Sequence, residues 1–89
     1  APIVHYWRNK FGKEVDFVVA ARGRDPVAIE CKWSADRFEP SCMRSFRQRY
    51  PSGDNLVVAH DVEHEYIRDF HGLKISFVSL QGLSDRFAQ

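Results

Sequence analysis

Two strongly apolar stretches decide the fold, and each carries charged residues at alternating positions. They read Glu14-Val15-Asp16-Phe17-Val18-Val19-Ala20 and Val27-Ala28-Ile29-Glu30-Cys31-Lys32. Both are rich in β-branched and aromatic residues, which predicts strands. The short connection between them contains Gly23 and Asp25-Pro26, which predict a turn. We therefore expect an antiparallel hairpin.

The segments on either side of this hairpin extend the sheet. Ile3 to Trp7 predicts a strand before it, and a helix is expected from Glu39-Pro40 to Tyr50. Asn55 to Ala59 predicts a buried strand, and strand, helix and strand in succession imply a right-handed crossover with a parallel pair. The rest of the chain is expected to contain a short helix or loop at Asp61 to His71, a last strand at Lys74 to Ser79 and a terminal helix at Gln81 to Ala88. The expected fold is α/β, with a small mixed sheet flanked by helices.

The composition is that of one globular domain. The 89 residues are 44% hydrophobic and 28% charged, which is ordinary for such a chain. The net charge of +1 does not by itself indicate a nucleic-acid binder. The longest apolar run, Phe17 to Ala21, is far shorter than the roughly 20 residues that span a bilayer. Cys31 and Cys42 lack metal-binding spacing, so we expect reduced thiols and a cytoplasmic location.

The charged residues of the hairpin are the candidate site. Residues two apart in a strand share a face, so Glu14 and Asp16 are expected to lie together, as are Glu30 and Lys32. The three carboxylates and the ammonium could therefore converge on one face of the hairpin. Two like charges about 4 Å apart repel by about 4 kcal/mol at an effective dielectric near 20. One carboxyl must then keep a proton, or a divalent cation must bind. Mg²⁺ suits the second case because it prefers carboxylate oxygens and needs few protein ligands.

Such a cluster is suited to phosphodiester hydrolysis. A metal ion held by Asp16 and Glu30 would activate a water molecule and neutralise charge on a phosphate. Lys32 would orient the water or contact the scissile phosphate. Glu14 is either a further metal ligand or only the polar edge of the hairpin, and the sequence leaves both open.

The same residues resemble a known family. Tyr6-Trp7-Arg8, Gly12 to Val18 and Pro26 to Lys32 are similar to the C-terminal domain of unknown function attached to many archaeal and bacterial AAA+ ATPases. That domain resembles the PD-(D/E)XK fold of Holliday-junction resolvases and restriction endonucleases. The resemblance covers nearly the whole chain. It implies that residues 1–89 form a single nuclease-like domain, either a C-terminal fragment or a small stand-alone relative.

The resemblance also implies roles for individual residues. Asp16 matches the Asp of the nuclease motif, Glu30 its acidic residue and Lys32 its lysine. Ser34 matches a small polar residue that often follows and would contact nucleic acid. The cofactor implied is Mg²⁺ or Mn²⁺.

Two further groups of residues invite a functional interpretation. Arg44 and Arg47 are three apart on the predicted helix, where they would form either a phosphate-contacting surface or a solvated helix face. His60 and His64, with Glu63 between them, are metal-ligand types, but their order is not that of a zinc protease. A surface connection is the simpler interpretation of that segment.

The sequence therefore predicts a metal-dependent nuclease domain that acts on nucleic acid, with DNA the expected substrate. The alternative is a non-catalytic module that binds nucleic acid, or docks on an AAA+ ATPase region or a partner subunit. A homodimer formed through an exposed sheet edge is a third possibility. No membrane partner is expected.

Overall fold

The computed structural model describes residues 2–88, which form one mixed sheet with helices packed on both faces. The strands within this range are β1 (Ile3–Arg8), β2 (Glu14–Ala20), β3 (Val27–Lys32), β4 (Asn55–Ala59), β5 (Tyr66–Phe70) and β6 (Leu73–Val78). The helices are α1 (Ser41–Arg49) and α2 (Leu80–Phe87), and a 3₁₀ turn spans Ala35–Arg37. No helix within residues 2–88 has the length and apolar character needed to cross a membrane.

The sheet has the order β1-β2-β3-β4-β6-β5. β1, β2 and β3 form an antiparallel meander, and β3 then pairs in parallel with β4. Helix α1 connects β3 to β4, as the crossover argument predicts. The predicted mixed α/β sheet, with its antiparallel hairpin and parallel crossover strand, is therefore confirmed.

The prediction of a short helix or loop over Asp61 to His71 is wrong, because β5 lies there. β5 and β6 form a hairpin in which Phe70 pairs with Leu73. The connecting residues His71 and Gly72 both have positive φ, 53° and 90°, as a two-residue type I′ turn requires. β5 is an edge strand whose residues are mostly exposed, so it lacks the apolar run that identified the central strands.

The core has a thick and a thin half, one on each face of the sheet. The thick half lies beneath α1 and contains Val15, Val18, Ala28, Phe38, Met43, Phe46, Val57, Ala59, Val62, Ile75 and Phe77. The thin half contains Ile29, Leu56, Val58 and Val78, with Leu83 of α2 packed against them. Membership in one half or the other identifies the face to which each strand residue points.

Candidate functional site

β2 contains one residue more than its partner β1. His5 pairs with Val18 and Trp7 pairs with Val15, so two steps along β1 correspond to three along β2. This is a β-bulge, and it breaks the two-residue periodicity of the strand. Val15 and Val18 both lie in the core beneath α1 although they are three residues apart. Asp16 lies within the bulge.

The bulge brings the Asp16 carboxylate against the backbone of β3. The pairing of β2 with β3 runs from Val19 only as far as Phe17, which is opposite Ile29. Beyond that pair, the amide of Cys31 donates a hydrogen bond of 2.9 Å to Oδ2 of Asp16. The side chain of Asp16 is thereby held beside the residue that follows Glu30.

Glu30 has a buried carboxyl group, one oxygen of which makes no hydrogen bond within residues 2–88. It is only 5% exposed, and its Oε2 has no hydrogen-bond partner within residues 2–88. Burial raises its pKa from 4.5 to about 7; the charge of Asp16 adds to the rise and the charge of Lys32 opposes it. Glu30 is therefore close to half ionised at neutral pH, because burial penalises its ionised form more than Lys32 favours it.

Lys32 lies on the same face as Glu30. The two residues align with Val57 and Ala59 of β4, both of which belong to the core beneath α1. β3 keeps the two-residue periodicity, so the predicted common face of Glu30 and Lys32 is confirmed. Glu30 and Lys32 thus share a face, and the carboxylate of Asp16, held at the backbone of β3, is close enough for its charge to raise the pKa of Glu30.

Glu14 belongs to a different group of side chains. It accepts a hydrogen bond from the hydroxyl of Tyr6, which raises the tyrosine pKa, and its Oε1 lies 3.6 Å from Nε of Arg8. Trp7, between these two β1 residues, packs edge-to-face on Phe46 of α1 with ring centroids 5.3 Å apart. Tyr6 and Arg8 therefore point to the opposite face of the sheet, and Glu14 points there with them.

The predicted convergence of Glu14 with Glu30 is consequently wrong. Glu14 precedes Val15, which faces α1, whereas Glu30 itself lies on the α1 side. The bulge is the physical reason, since without the extra residue Glu14 would have kept the face of Val18. Glu14 therefore belongs to the polar edge of the hairpin, beside Tyr6 and Arg8.

Ser34 lies just beyond the end of β3. Its hydroxyl donates a hydrogen bond of 2.7 Å to Oδ1 of Asp36, which lowers the pKa of that carboxyl. It precedes the 3₁₀ turn and adopts an extended conformation. The side chain predicted to contact nucleic acid is thus paired with a neighbouring carboxylate.

Arg47 is buried rather than exposed on a helix surface. It is 8% exposed, and burial lowers its pKa. All five of its N–H groups donate hydrogen bonds of 2.6–3.2 Å. The acceptors are Oδ1 of Asn55 and the carbonyls of Tyr50, Ser52, Pro26 and Asp54.

The predicted surface formed by Arg44 and Arg47, whether phosphate-contacting or solvated, is therefore wrong. Arg47 has no donor left for a phosphate, and the loop after α1 wraps around it. Arg44 donates a hydrogen bond to the carbonyl of Phe70, so this side chain also stabilises the fold. Helical spacing placed the two side chains close together but carried no information on the loop that covers one of them.

A cleft lies elsewhere along α1, and it was not predicted from the sequence. Its volume is about 450 Å³, within the range of ligand sites. It is lined by the last two residues of β1, the residue that follows them and three residues of α1: Trp7, Arg8, Asn9, Ser45, Gln48 and Arg49. None of these six is acidic. The helical spacing of Ser45, Gln48 and Arg49 could have indicated that they share one face of α1. Only the fold shows that the end of β1 lies opposite them.

His60 lies against Trp33 and is not part of a metal cluster. The two rings stack with centroids 4.5 Å apart and planes 19° from parallel. Within residues 2–88, no group of three or more His, Cys, Asp or Glu side chains is arranged to hold a metal ion.

The chain matches a known family of protein domains. The model of DUF4143, a domain of unknown function, matches residues 1–80. The chain belongs to the DUF4143 family. No curated protein and no solved structure matches it. The family match covers all six strands and the site residues, because only the second helix extends beyond it.

Proposed function

We propose that this DUF4143 domain is a metal-dependent nuclease of the PD-(D/E)XK type that hydrolyses phosphodiester bonds. The observation that carries the proposal is the buried, unpartnered Oε2 of Glu30, close to the charges of Asp16 and Lys32. A carboxyl in that state needs either a proton or a cation. The β1-β2-β3 meander followed by α1 and the parallel strand β4 also supports the proposal, because the resemblance implies this arrangement.

The residues fit a divalent cation such as Mg²⁺ or Mn²⁺. Asp16 and Glu30 would hold it, since Asp16 uses one oxygen for Cys31 and has a second available, and Glu30 has an orphaned one. Mg²⁺ is commonly held by one or two carboxylates and keeps several waters. When bound, the ion would supply electrophilic activation of the phosphate and a more acidic water.

The chain's own side chains would position the substrate. Lys32 would place its ammonium beside the scissile phosphate and balance the charge of Glu30, whose pKa it already lowers. Asp16 would keep its orientation through the amide of Cys31. Arg49, which lines the cleft, would contact a phosphate of the nucleic-acid backbone in place of Arg47.

A second candidate is a non-catalytic docking module. It is favoured by the edge strand β1, where Ile3, Val4 and Tyr6 are each more than half exposed. Such an edge is suited to pairing with another chain, whether an AAA+ ATPase region, a partner subunit or a second copy. This candidate requires no divalent cation.

A nicking assay separates the two. The purified chain is incubated with supercoiled plasmid and with branched DNA, in Mg²⁺, in Mn²⁺ and in chelator. We expect metal-dependent cleavage that Asp16→Asn and Lys32→Ala abolish. Glu14→Gln is the matched control: it also removes a hairpin carboxylate, but one on the opposite face, and should retain cleavage. Absence of cleavage by the folded wild-type chain would favour the docking module.

A further inference from the structure

The connection between β1 and β2 carries an exposed aromatic side chain. Asn9 to Lys13 form this connection, which we call the β1–β2 loop. Phe11 is 77% exposed, more than any other large hydrophobic side chain within residues 2–88. The centroid of its ring lies 5.3 Å from the ammonium of Lys10. The ring therefore presents most of its surface to solvent, next to a positive charge.

Hydrogen bonds hold the loop in one conformation. Oδ1 of Asn9 accepts hydrogen bonds from the amides of Phe11, at 2.9 Å, and of Lys13, at 3.0 Å. The amide of Asn9 donates to the carbonyl of Lys13 at 2.9 Å, and Gly12 has a positive φ of 84°. Asn9 and Gly12 thus supply what the turn needs, so the turn does not require an aromatic residue at position 11. A preorganised loop also loses little entropy when it binds a ligand.

The loop is positively charged. It contains Lys10 and Lys13 and no acidic residue. Neither lysine belongs to an ion pair within residues 2–88. The cleft that begins at Asn9 contains Arg49 and also has no acidic residue in its lining, so the positive surface continues from the loop into a groove. Two unpaired ammonium groups beside an exposed ring complement a ligand that combines phosphates with flat apolar faces, which is the chemistry of a nucleic acid.

The loop lies at the same end of the sheet as the proposed site. β2 is antiparallel to β3, so the start of β2, where the loop ends, lies beside the carboxyl end of β3 with Lys32. Nζ of Lys13 donates a hydrogen bond of 3.5 Å to Oγ of Ser41, the first residue of α1. The ammonium of Lys13 is therefore on the α1 side of the sheet, as Glu30 and Lys32 are. About 10 Å of extended chain separates Lys13 from Asp16, which is the rise of about three nucleotides.

We infer that the β1–β2 loop binds single-stranded nucleic acid next to the scissile phosphate, with Lys10 and Lys13 on phosphates and Phe11 stacked on an unpaired base. This inference rests on the proposed function, because it names the substrate class of the same site. Aromatic side chains stack on any base, so the loop has no sequence preference. Both faces of a base inside a duplex are already covered. The loop therefore favours the unpaired bases of single strands, frayed ends and branches.

Binding of a fluorescein-labelled oligothymidylate in chelator tests the inference without requiring cleavage. Fluorescence anisotropy measures the affinity. Phe11→Ala should weaken binding by about 5- to 150-fold, the loss expected for one base stack. Phe11→Trp should retain most of the affinity, because it keeps an aromatic ring in the loop. Trp33→Ala is the matched control: it removes a side chain of similar exposure, 74%, that lies outside the loop, and it should bind as wild type does.

An abasic oligonucleotide of equal length separates stacking from phosphate contacts. It has the same phosphates and no bases, so wild type and Phe11→Ala should bind it equally. Lys10→Gln should weaken binding of both oligonucleotides and lower the salt dependence by about one phosphate contact. Arg24→Gln, in the turn between β2 and β3, removes the same charge and should have little effect.

Three outcomes would overturn the inference. The first is equal binding of oligothymidylate by wild type and Phe11→Ala, or no binding by wild type. The second is a loss of affinity in Trp33→Ala equal to that in Phe11→Ala. The third is Phe11-dependent binding to phosphatidylserine vesicles without binding to the oligonucleotide, because the loop would then contact a membrane surface.

The inference and the proposed function fail in different ways. Phe11-dependent binding of oligothymidylate without any cleavage would leave the β1–β2 loop as a nucleic-acid contact and remove the nuclease. Metal-dependent cleavage with no effect of Phe11→Ala on affinity would keep the nuclease and remove the contact.

Discussion

The carboxylate of Asp16 accepts a hydrogen bond of 2.9 Å from the amide of Cys31, where β2 and β3 separate. Here a side-chain oxygen accepts the hydrogen bond that a backbone carbonyl accepts in a regular sheet. The Cys31 amide is left for Asp16 because the regular pairing of β2 with β3 ends at Phe17, next to the bulge in β2. This hydrogen bond fixes the Asp16 carboxylate next to the residue that follows Glu30. The fold of the hairpin therefore positions a residue of the proposed site.

Asp16→Asn and Asp16→Ala should separate these two roles. Asparagine keeps an oxygen for the Cys31 amide, so we expect a change in unfolding free energy within about 1 kcal/mol together with loss of metal binding. Alanine leaves the amide without its partner and should cost about 1–3 kcal/mol. Denaturant unfolding of both variants checks this. Equal stability of the two variants would mean that the hydrogen bond contributes little.

Glu30 should make the domain more stable in mild acid than in mild base. Its folded pKa of about 7 exceeds the usual 4.5, so the folded state binds more protons between those values. Stability is then highest below about pH 5 and falls as the pH rises to about 7, by up to about 3 kcal/mol. Glu30→Gln should remove this dependence and be the more stable protein near pH 8. Unfolding by urea across this pH range measures it, and a wild-type stability that rises from pH 5 to 8 would contradict it.

Divalent cations should stabilise the domain only where Glu30 is ionised. Near pH 8, Mg²⁺ at ten times its Kd should add about 1.4 kcal/mol, or about 6–10 °C in Tm for a domain of this size. Near pH 5, where Glu30 is protonated, the shift should disappear. Thermal unfolding with Mg²⁺ or chelator tests this. Asp16→Asn should abolish the shift and Glu14→Gln should retain it; an equal shift in both variants would place the cation elsewhere.

Substitution of Arg47 should lower the free energy of unfolding more than most other substitutions in the domain. Arg47→Lys keeps the charge but supplies three donors where the guanidinium supplies five, and it leaves buried carbonyls without partners. We expect a loss of about 3 kcal/mol or more. Arg49→Lys on the exposed side of the same helix is the control and should change stability by less than about 0.5 kcal/mol. Comparable stability of the two variants would disprove the structural role of Arg47.

The cleft should contribute to affinity for nucleic acid through Arg49. Arg49→Gln should weaken binding regardless of sequence and lower the salt dependence of binding by about one phosphate contact. Arg24→Gln, in the turn between β2 and β3 at the opposite end of the strands, removes the same charge and should have little effect. Binding titrations at several salt concentrations distinguish a contact from the general loss of one positive charge. Equal slopes for both variants would leave the cleft without a role.

Much of the fold follows from local patterns in the sequence. The central strands are apolar runs bounded by turns, and α1 has its aromatic residues at helical spacing, so these elements were predictable. Glu30 and Lys32 share a face because β3 is regular, and two-residue periodicity holds wherever a strand has no bulge. β5 was missed because an exposed edge strand carries little apolar signal.

Three features were decided by tertiary structure. The extra residue in β2 is defined by pairing with β1, so the separation of Glu14 from Glu30 depends on a partner strand that is distant in sequence. The burial of Arg47 depends on the loop that closes over it, because the same helical position is exposed wherever no loop covers it. Trp33 and His60 stack because β3 and β4 are parallel neighbours. The sequence by itself determined which residues carry the charge and which form strands. Their relative placement is a property of long-range pairing, which local periodicity does not encode.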